Sequence, residues 1–318
     1  MVFKQGYDES VLSFKNRERQ QKEKYMEYVI IGMVCAIILF FVIVNICDMN
    51  RFVVKEYVFT SDKVPKEFKF AFLSDLHDKR YGPDNKKLLQ AIEKASPAVL
   101  LVGGDMIVAS PGEKNANAHS FMQKLSQKYT IYHGMGNHEY RSDLYREEYG
   151  NMYDEYSRPL LEQGVVFLRN QKVLLEEYNV EVCGVEIDRK YYKRFTVRSM
   201  EASYLKGLLG EKDEKHYEIL LAHNPDYFPQ YANYGADLTL SGHEHGGLIR
   251  MPFLGGIASP AVRFFPKYDG GIFDIGKSKM VVSRGLGTHT LPVRIFNPAE
   301  LIIIRIVPAC KDAEKQIK

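Results

Sequence analysis

The sequence predicts a layered α/β domain that follows one membrane-spanning helix. Three observations lead to this prediction. Twenty uncharged residues stand near the N-terminus, strand-like and helical segments alternate after them, and strand-like segments become more frequent towards the C-terminus. Alternating strands and helices form sheets covered by helices, and the additional strands predict a second sheet. We therefore expect a four-layer α/β/β/α sandwich of two mixed β-sheets, preceded by one transmembrane helix.

The overall composition is that of a globular domain. The chain has 318 residues, of which 45% are hydrophobic and 26% are charged. These fractions exclude collagen-like, disordered and disulfide-dense chains. The 43 basic and 40 acidic residues leave a formal net charge of only +3. No nucleic-acid partner is therefore expected.

The first element is the uncharged segment 28–47, which reads YVIIGMVCAIILFFVIVNIC. At about 1.5 Å per residue, a helix of this length covers about 30 Å, the thickness of the hydrocarbon core of a bilayer. A buried core helix and a cleaved signal peptide are the alternatives. A signal peptide has a shorter apolar region that ends in small residues, whereas this segment ends in Val44, Asn45, Ile46 and Cys47. We interpret it as an uncleaved signal-anchor.

Charges on either side of segment 28–47 predict its orientation. Five cations precede the segment closely, whereas only Arg51 and Lys55 follow it at a similar distance. The preceding cations are Lys15, Arg17, Arg19, Lys22 and Lys24. By the positive-inside rule, residues 1–27 lie in the cytoplasm, and the domain 52–308 with its polar tail 309–318 lies outside. The predicted location is the cell membrane, with a single span and an extracytoplasmic domain.

The elements after the span alternate in type. The predicted strands are 52–60, 69–73, 98–102, 130–133, 180–187, 217–221, 236–240, 271–273, 279–282 and 301–307. The predicted helices are 85–95, 117–128 and 199–209. Each of these helical segments carries apolar residues at helical spacing.

Five of the apolar runs end in Asp, His or Asn. The side chains that follow these runs are Asp75, His77, Asp105, Asn137, His223, His243 and His245. Because the C-terminal ends of strands in α/β sheets share one rim, we expect these side chains to converge there. A single Asp or His after a strand is usually a turn residue or a helix cap. With His138, which follows Asn137, five of the nine histidines fall in these endings, however.

The donor types in these endings predict a metal site. Carboxylate and imidazole ligands without thiolate suit Mn, Fe or Zn. The pairs Asp75/His77 and His243/His245 each skip one residue. In extended backbone, both side chains of such a pair emerge on one face, and we expect this geometry here.

The order of these motifs carries a family resemblance. Along the chain they are DxH at Asp75, GD at Asp105, GNHE at Asn137, a single His at His223 and GHxH at His243. This order resembles the calcineurin-like metallophosphoesterases over residues 69–307. The C-terminal segments 285–287 and 291–294 are similar to the membrane-associated bacterial branch of that family. The resemblance implies the metallo-dependent phosphatase fold.

The resemblance also implies a role for each residue. One ion would be held by Asp75, His77 and His245, a second by Asn137, His223 and His243, and Asp105 would bridge both. His138 would not bind metal but would act at the scissile oxygen, oriented by Asp105. Two divalent or mixed-valence ions (Mn, Fe or Zn) about 3.5–4 Å apart would activate a bridging hydroxide for in-line attack on phosphorus. The His138 imidazolium would stabilise or protonate the leaving oxygen.

The sequence therefore predicts a membrane-anchored phosphohydrolase that cleaves phosphoric ester or pyrophosphate bonds. The short link between span and first strand favours a lipid-linked or membrane-proximal substrate. The resemblance offers UDP-diacylglucosamine pyrophosphatase-like activity as one candidate. Two alternatives stay open: a catalytically silent scaffold with a phosphoesterase fold, and a phosphodiesterase of soluble nucleotides. A silent scaffold would have lost site residues, whereas all eight are present here.

Several weaker signals concern the surroundings of this site. Segment 248–267 mixes apolar residues with Arg and Lys, which fits either contact with an acyl chain and its headgroup or a buried hairpin of the second sheet. Tyr145, Tyr149, Tyr153 and Tyr156 recur at helical spacing and predict a core stripe. Arg294 could bind a phosphate oxygen or form a surface ion pair, and His289 could line the site. Whether Cys183 pairs with Cys310 stays open.

Overall fold

The computed structural model describes residues 3–309 except 194, 252, 260–262 and 289–290, with side chains described from residue 12 onward. The chain divides into two compact units, Met1–Cys47 and Asp48–Lys318. The predicted interactions of Cys310 and His289 lie outside the described residues.

The N-terminal unit is built on one long helix, α1 (Phe3–Met49). Its stretch Leu12–Met49 contains a window with a mean hydropathy of 3.1, and none of that window is buried. By length and composition, this helix is a candidate membrane span. It includes the whole of the predicted segment 28–47.

The second unit contains the strands and the remaining helices. In chain order the strands are β1 (Phe52–Ser61), β2 (Phe68–Leu73), β3 (Val99–Val102), β4 (Thr130–Gly134), β5 (Val166–Leu168), β6 (Gln171–Leu175), β7 (Val180–Gly184), β8 (Tyr217–Leu221), β9 (Leu238–Ser241), β10 (Arg250–Met251), β11 (Gly255–Gly256), β12 (Gly271–Ile275), β13 (Ser278–Val282) and β14 (Ala299–Pro308). The helices are α2 (Lys86–Ala95), α3 (Ala116–Ser126), α4 (Asn137–Leu144), α5 (Arg146–Tyr149), α6 (Met152–Glu162), α7 (Tyr204–Leu209) and α8 (Phe228–Tyr234).

The strands form two six-stranded mixed sheets. The first has the order β1-β14-β2-β3-β4-β5, in which only the pair β14–β2 is antiparallel. The second has the order β12-β13-β9-β8-β7-β6, and its two outermost pairs are antiparallel. The chain therefore runs in the same direction through the central strands of each sheet.

Three apolar clusters define the layers. Phe70, Phe72, Ile219, Leu240 and Ile302 belong to one buried cluster that contains side chains of both sheets, so the sheets pack face to face. A second cluster joins the outer face of the first sheet to α2, α3 and α6. A third joins the outer face of the second sheet to α7 and α8. The predicted four-layer α/β/β/α sandwich is confirmed.

The short central strands have sequences that suit burial on both faces. Strand β3 reads VLLV and strand β8 reads YEILL, and every residue of both strands is buried. Continuous apolar runs of this kind are typical of central parallel strands that are covered on both sides. These runs end at the rim where the polar motifs begin.

Two segments differ from the sequence interpretation. The four tyrosines do not lie on one helix, because α5 ends at Tyr149 and Gly150 follows with φ of 62°. Strands β10 and β11 form a separate two-stranded sheet, so segment 248–267 is not a buried hairpin of the second sheet. Its Phe253 side chain is fully exposed, and Phe264 is 73% exposed.

Candidate metal centre

Both sheets contribute to the rim where the predicted site residues meet. Asp75 follows β2, Asp105 follows β3, and Asn137 begins α4 just after β4. From the second sheet, His223 follows β8 and His243 follows β9. The predicted convergence of strand ends is therefore observed, and it takes place across two sheets.

Three of the predicted side chains form a first group. The Nε2 atoms of His77 and His245 lie 3.2 Å apart. His245 Nε2 lies 3.4 Å from Asp75 Oδ1, and His77 Nε2 lies 4.0 Å from the same oxygen. Ring nitrogens and a carboxylate oxygen thus face one another at distances that a shared cation would bridge.

Asp105 stands between this group and a second one. Its Oδ2 lies 3.2 Å from His223 Nε2 and 3.8 Å from His77 Nε2. His243 completes the second group, because ligand atoms of Asp105, His223 and His243 all lie within 4.8 Å of one another. Asn137 Oδ1 is buried and accepts no hydrogen bond among the described residues.

The backbone at these residues is not extended, contrary to the prediction for the two DxH-like pairs. Asp75 and His77 have φ of 53° and 45°, His243 and His245 have φ of 69° and 51°, and Asp105 has φ of 54°. Non-glycine residues rarely adopt this left-handed region, and such strain gathers at functional sites. Tight left-handed turns, rather than a strand face, bring the paired side chains together.

Backbone carbonyls orient two of the histidine rings. His223 Nδ1 donates to Gly103 O at 2.7 Å, and His245 Nδ1 donates to Gly287 O at 3.2 Å. With Nδ1 donating to a carbonyl, Nε2 is the ring atom of each histidine that faces the centre and can bind an ion. This arrangement is typical of metal-binding histidines.

Two glycines allow the loops to approach the carboxylates. A Cβ atom on Gly242 would lie 2.1 Å from Asp75 Oδ2, and a Cβ atom on Gly136 would lie 2.2 Å from Asp105 Oδ1. Only glycine fits such a close approach. The glycines of the GNHE and GHxH motifs therefore allow their loops to pack closely against Asp105 and Asp75.

Sequence reasoning missed the role of Glu139. Its buried carboxylate accepts the backbone N–H groups of Asp105 at 2.7 Å, Met106 at 2.8 Å and Gly136 at 3.2 Å. The signal was present in the GNHE motif, but the amide groups that it binds come from a different loop.

Asp75 and Asp105 are both buried, but the pKa values of their carboxylates shift in opposite directions. Burial raises the pKa of Asp75 to about 6, and the neighbouring Asp105 adds to this rise. Burial also acts to raise the pKa of Asp105, but the surrounding histidines, His223 foremost, hold it well below its usual range. Two neighbouring buried carboxylates favour a cation between them.

The histidines divide into one cationic and two neutral rings. Burial acts to lower the pKa of His223, but Asp105 and Asp75 raise it to about 10. Burial lowers the pKa of His243 to about 3 and that of His245 well below its usual value. Neutral imidazoles are the form that binds metal, and a bound ion would take the place of the proton on His223.

The residues present therefore fit a two-metal centre. Buried carboxylate oxygens, neutral imidazole nitrogens and a buried amide oxygen without a hydrogen-bond partner converge at the rim. These are donors that divalent transition metals bind.

His138 begins the same helix as Asn137 and lies beside the centre. Its ring Nδ1 accepts the backbone N–H of Ala109 at 2.8 Å, and its own backbone N–H donates to Asp105 Oδ1 at 2.8 Å. Its ring centroid lies 4.8 Å from that of His77. The Ala109 amide thus orients the His138 ring, while Asp105 holds the His138 backbone.

Arg294 is a buried residue rather than a surface one. Its side chain is buried and its guanidinium donates to the carbonyl groups of Arg284, Gly287 and Asn297 at 2.8, 2.6 and 3.1 Å. It therefore fixes the segment that carries Gly287 behind the His245 ring.

A separate acidic cluster lies within the second sheet. Glu181, Cys183 and Glu218 approach one another there. Lys172 Nζ already lies 3.2 Å from Glu181 and 3.3 Å from Glu218. The ammonium group supplies the cation that this cluster requires.

These features agree with comparisons to known proteins. The sequence model of the calcineurin-like phosphoesterases matches residues 68–247, more than half of the chain. The chain therefore belongs to the calcineurin-like phosphoesterase family and is a metal-dependent phosphohydrolase.

Two individual proteins and one solved structure are similar to most of this chain. A metallophosphoesterase from Aquifex aeolicus is 28% identical over 261 residues, which span 80% of this chain and 91% of that protein. The UDP-2,3-diacylglucosamine pyrophosphatase LpxG from Chlamydia muridarum is 25% identical over 302 residues, which span 76% and 86%. The solved structure of the NAD nucleotidase NadN from Haemophilus influenzae is similar with a TM-score of 0.39 and 14% identity. That match covers 70% of this chain but only 46% of the nucleotidase, and no conclusion about activity follows from it.

Proposed function

We propose that this chain is a membrane-anchored phosphohydrolase with a two-metal centre that acts on a lipid-linked or membrane-proximal substrate. The observation that carries the proposal is the convergence of seven donors from two sheets on one rim. In this proposal Asp75, His77 and His245 hold one ion. Asn137, His223 and His243 hold the other, and Asp105 lies between them. When bound, the two ions lower the pKa of a water molecule and stabilise the charge that develops on the phosphoryl oxygens.

The protein's own contribution to the leaving group comes from His138. Because Nδ1 accepts the N–H of Ala109, the ring proton resides on Nε2. That N–H group can donate a hydrogen bond to the oxygen that leaves phosphorus. As the P–O bond breaks, the electron pair stays on the leaving oxygen, and the hydrogen bond from the neutral Nε2–H group stabilises this charge until water protonates the oxygen.

Helix α1 supports the proposed anchor. Segment 28–47 has no charged residue, and its apolar window is exposed along the helix. The excess of cations before the segment supports an orientation with residues 1–27 in the cytoplasm and the catalytic domain outside. Only Asn50 and Arg51 separate α1 from strand β1, so the catalytic domain begins close to the end of the span.

The separate two-stranded sheet supports a membrane-proximal substrate. Strand β10 begins five residues after His245, and beyond it Phe253 and Leu254 are exposed. Phe264 and Phe265 are 73% and 62% exposed. Exposed aromatic side chains of this density suit an apolar environment such as acyl chains or the membrane interface. The pyrophosphatase LpxG is a relative whose named substrate carries acyl chains, which supports the same substrate class.

The proposed centre is tested by removing one donor at a time. Full-length protein in detergent is assayed for metal-dependent hydrolysis of bis(p-nitrophenyl) phosphate, with His243→Ala and Asn137→Ala as variants. Each is expected to lose at least about a hundredfold in kcat, as for loss of a catalytic electrostatic group. His119→Ala, a histidine on α3 outside the centre, is the matched control and retains activity. Unchanged turnover in both donor variants would contradict the two-metal centre.

A further inference from the structure

A cleft of about 640 Å³ adjoins the candidate metal centre. Asn137 lines it, and the cations that line it are Arg141, Arg189, Lys190, Lys193 and Arg198. We call this region the basic cleft. Tyr192 also lines it, and its ring centroid lies 5.4 Å from that of His243. The basic cleft therefore borders the side of the centre that Asn137 and His243 form.

The positive charge of the basic cleft is not neutralised by the protein. Within the part of the chain that the structure describes, no carboxylate oxygen forms an ion pair with any of the five cations. Of the two acids that directly precede these cations in the chain, Glu186 pairs with a cation outside the cleft, whereas Asp188 keeps its charge beside Arg189. Glu186 accepts from Arg169 at 2.9 Å, and Asp188 accepts the backbone N–H of Lys190 at 2.9 Å.

Aromatic rings hold two of the guanidinium groups in place. The Arg189 guanidinium lies 4.4 Å from the centre of the Tyr145 ring, and that of Arg141 lies 5.4 Å from the Tyr149 ring. Arg141 also donates to the carbonyl of Ala109. Ring faces and neutral carbonyls orient a guanidinium without cancelling its charge. The tyrosines of the recurring pattern thus support cations at the cleft as well as packing in the core.

Even after the charge of Asp188 is subtracted, five cations beside a phosphate-hydrolysing centre suit a substrate with more negative charge than one phosphoryl group brings. Arginine binds phosphate in a bidentate manner, and lysine binds it as a point charge. We propose that the basic cleft binds a second phosphate group joined to the scissile one, which makes the substrate a diphosphate ester. This inference rests on the proposed function and names the substrate class of the same site.

The experiment compares two inhibitors that differ by one phosphate group. Full-length protein in detergent hydrolyses bis(p-nitrophenyl) phosphate, and AMP or the non-hydrolysable α,β-methylene ADP is added as a competitive inhibitor. We expect the diphosphate analogue to bind about tenfold or more tightly than AMP, as one or two charge-assisted hydrogen bonds would provide. In the double variant Arg189→Gln with Lys193→Gln, this ratio of inhibition constants falls towards one. Both residues are exposed, so the fold is preserved.

Matched controls distinguish a failure of this inference from a failure of the proposed function. Arg158→Gln with Lys206→Gln removes two exposed cations that do not line the cleft, and the inhibition ratio is expected to stay at the wild-type value. A phosphate group that is not joined to the scissile one, such as that of a lipid headgroup, would bind the same cations. Binding of that kind appears as additive inhibition by AMP and inorganic phosphate, with no preference for the linked diphosphate, and overturns the proposal. An unchanged ratio in the cleft variant also overturns it, whereas a wild-type protein that hydrolyses no phosphodiester contradicts the proposed function itself.

Discussion

The carboxylate of Glu139 accepts the backbone N–H of Asp105 at 2.7 Å, although Glu139 lies on α4 and Asp105 in the loop after β3. The same carboxylate accepts the N–H groups of Met106 and Gly136. A buried acid on α4 thus fixes the turn that presents Asp105 to the centre. The left-handed φ of Asp105 is maintained by this contact from a neighbouring loop.

Replacing Glu139 by Gln should weaken the centre without removing any proposed ligand. The amide nitrogen of Gln is a donor, so at least one buried N–H loses its acceptor, at a cost of about 1–3 kcal/mol. Displacement of Asp105 should lower metal affinity by about 10–100-fold, as for other residues that orient metal ligands. A metal titration monitored by activity measures this. Glu162→Gln, at an exposed position at the end of α6, is the control, and equal metal affinity in both variants would contradict the role of Glu139.

Gly242→Ala should abolish activity through a steric clash. The new Cβ would lie 2.1 Å from Asp75 Oδ2 and 2.2 Å from Ser74 Oγ, so the carboxylate or the loop must move. Gly207→Ala is the matched control, because no atom lies within 4 Å of its added Cβ. At this helical position, alanine is expected to stabilise the fold by about 0.5–1 kcal/mol. We expect kcat to fall at least about a hundredfold in the first variant and to stay unchanged in the second. Normal activity in Gly242→Ala would show that the centre does not need this close approach.

The buried imidazole of His133 should make the domain less stable in acid. Burial lowers its pKa from 6.5 to about 4, and the neutral ring contacts Tyr156 OH at 2.9 Å and Gly134 O at 2.7 Å. Between these pH values the unfolded chain binds a proton that the folded chain does not bind. The stabilisation is therefore complete above about pH 6.5 and falls by up to about 3 kcal/mol as the pH drops to about 4.

Urea unfolding of wild-type protein and of the double variant His133→Phe with Tyr156→Phe tests this pH dependence. The double variant removes the imidazole and its hydroxyl partner together, so no buried hydroxyl of Tyr156 is left without a partner. Its loss of unfolding free energy between about pH 7 and pH 5 should be smaller than that of the wild type. Equal losses would mean that His133 does not contribute to acid sensitivity.

The exposed aromatic side chains should matter only for lipid substrates. Phe253→Ser with Phe264→Ser removes apolar surface from the region around the β10–β11 sheet without touching the rim. Binding of each fully exposed aromatic side chain to a bilayer contributes on the order of 1.5–3 kcal/mol. We expect the double variant to hydrolyse a diacyl diphosphate substrate in vesicles at least about tenfold more slowly and bis(p-nitrophenyl) phosphate at the wild-type rate. An equal effect on both substrates would assign these residues to folding rather than to lipid contact.

The architecture and the site location could be predicted because each depends on short local patterns. Buried runs such as VLLV of β3 indicate central strands, and the C-terminal ends of such strands share a rim. The polar residues directly after them must then lie near one another. Asp75, Asp105 and His223 are placed by this logic alone, whichever sheet carries the strand.

Other features depend on contacts between segments far apart in the chain and could not be predicted. The residue spacing of Asp75 and His77 fits an extended strand as well as the left-handed turns that occur. Glu139 was recognised as part of a motif, but the amides that it binds follow β3. The basic cleft joins Arg141 on α4 to Arg189, which begins a short 3₁₀ helix beyond β7. The tyrosine spacing indicated one helix, and Gly150 divides it.

Counting the metal ions bound to the full-length protein tests the two-metal centre most directly. Protein purified in detergent is loaded with Mn²⁺ or Zn²⁺, freed of excess metal, and measured by elemental analysis beside the His243→Ala and Asp105→Asn variants. We predict about two ions per wild-type chain, in keeping with a two-metal phosphohydrolase centre, and fewer in both variants. A wild-type protein that retains less than one ion per chain, or variants that retain as much metal as the wild type, would contradict the proposed centre.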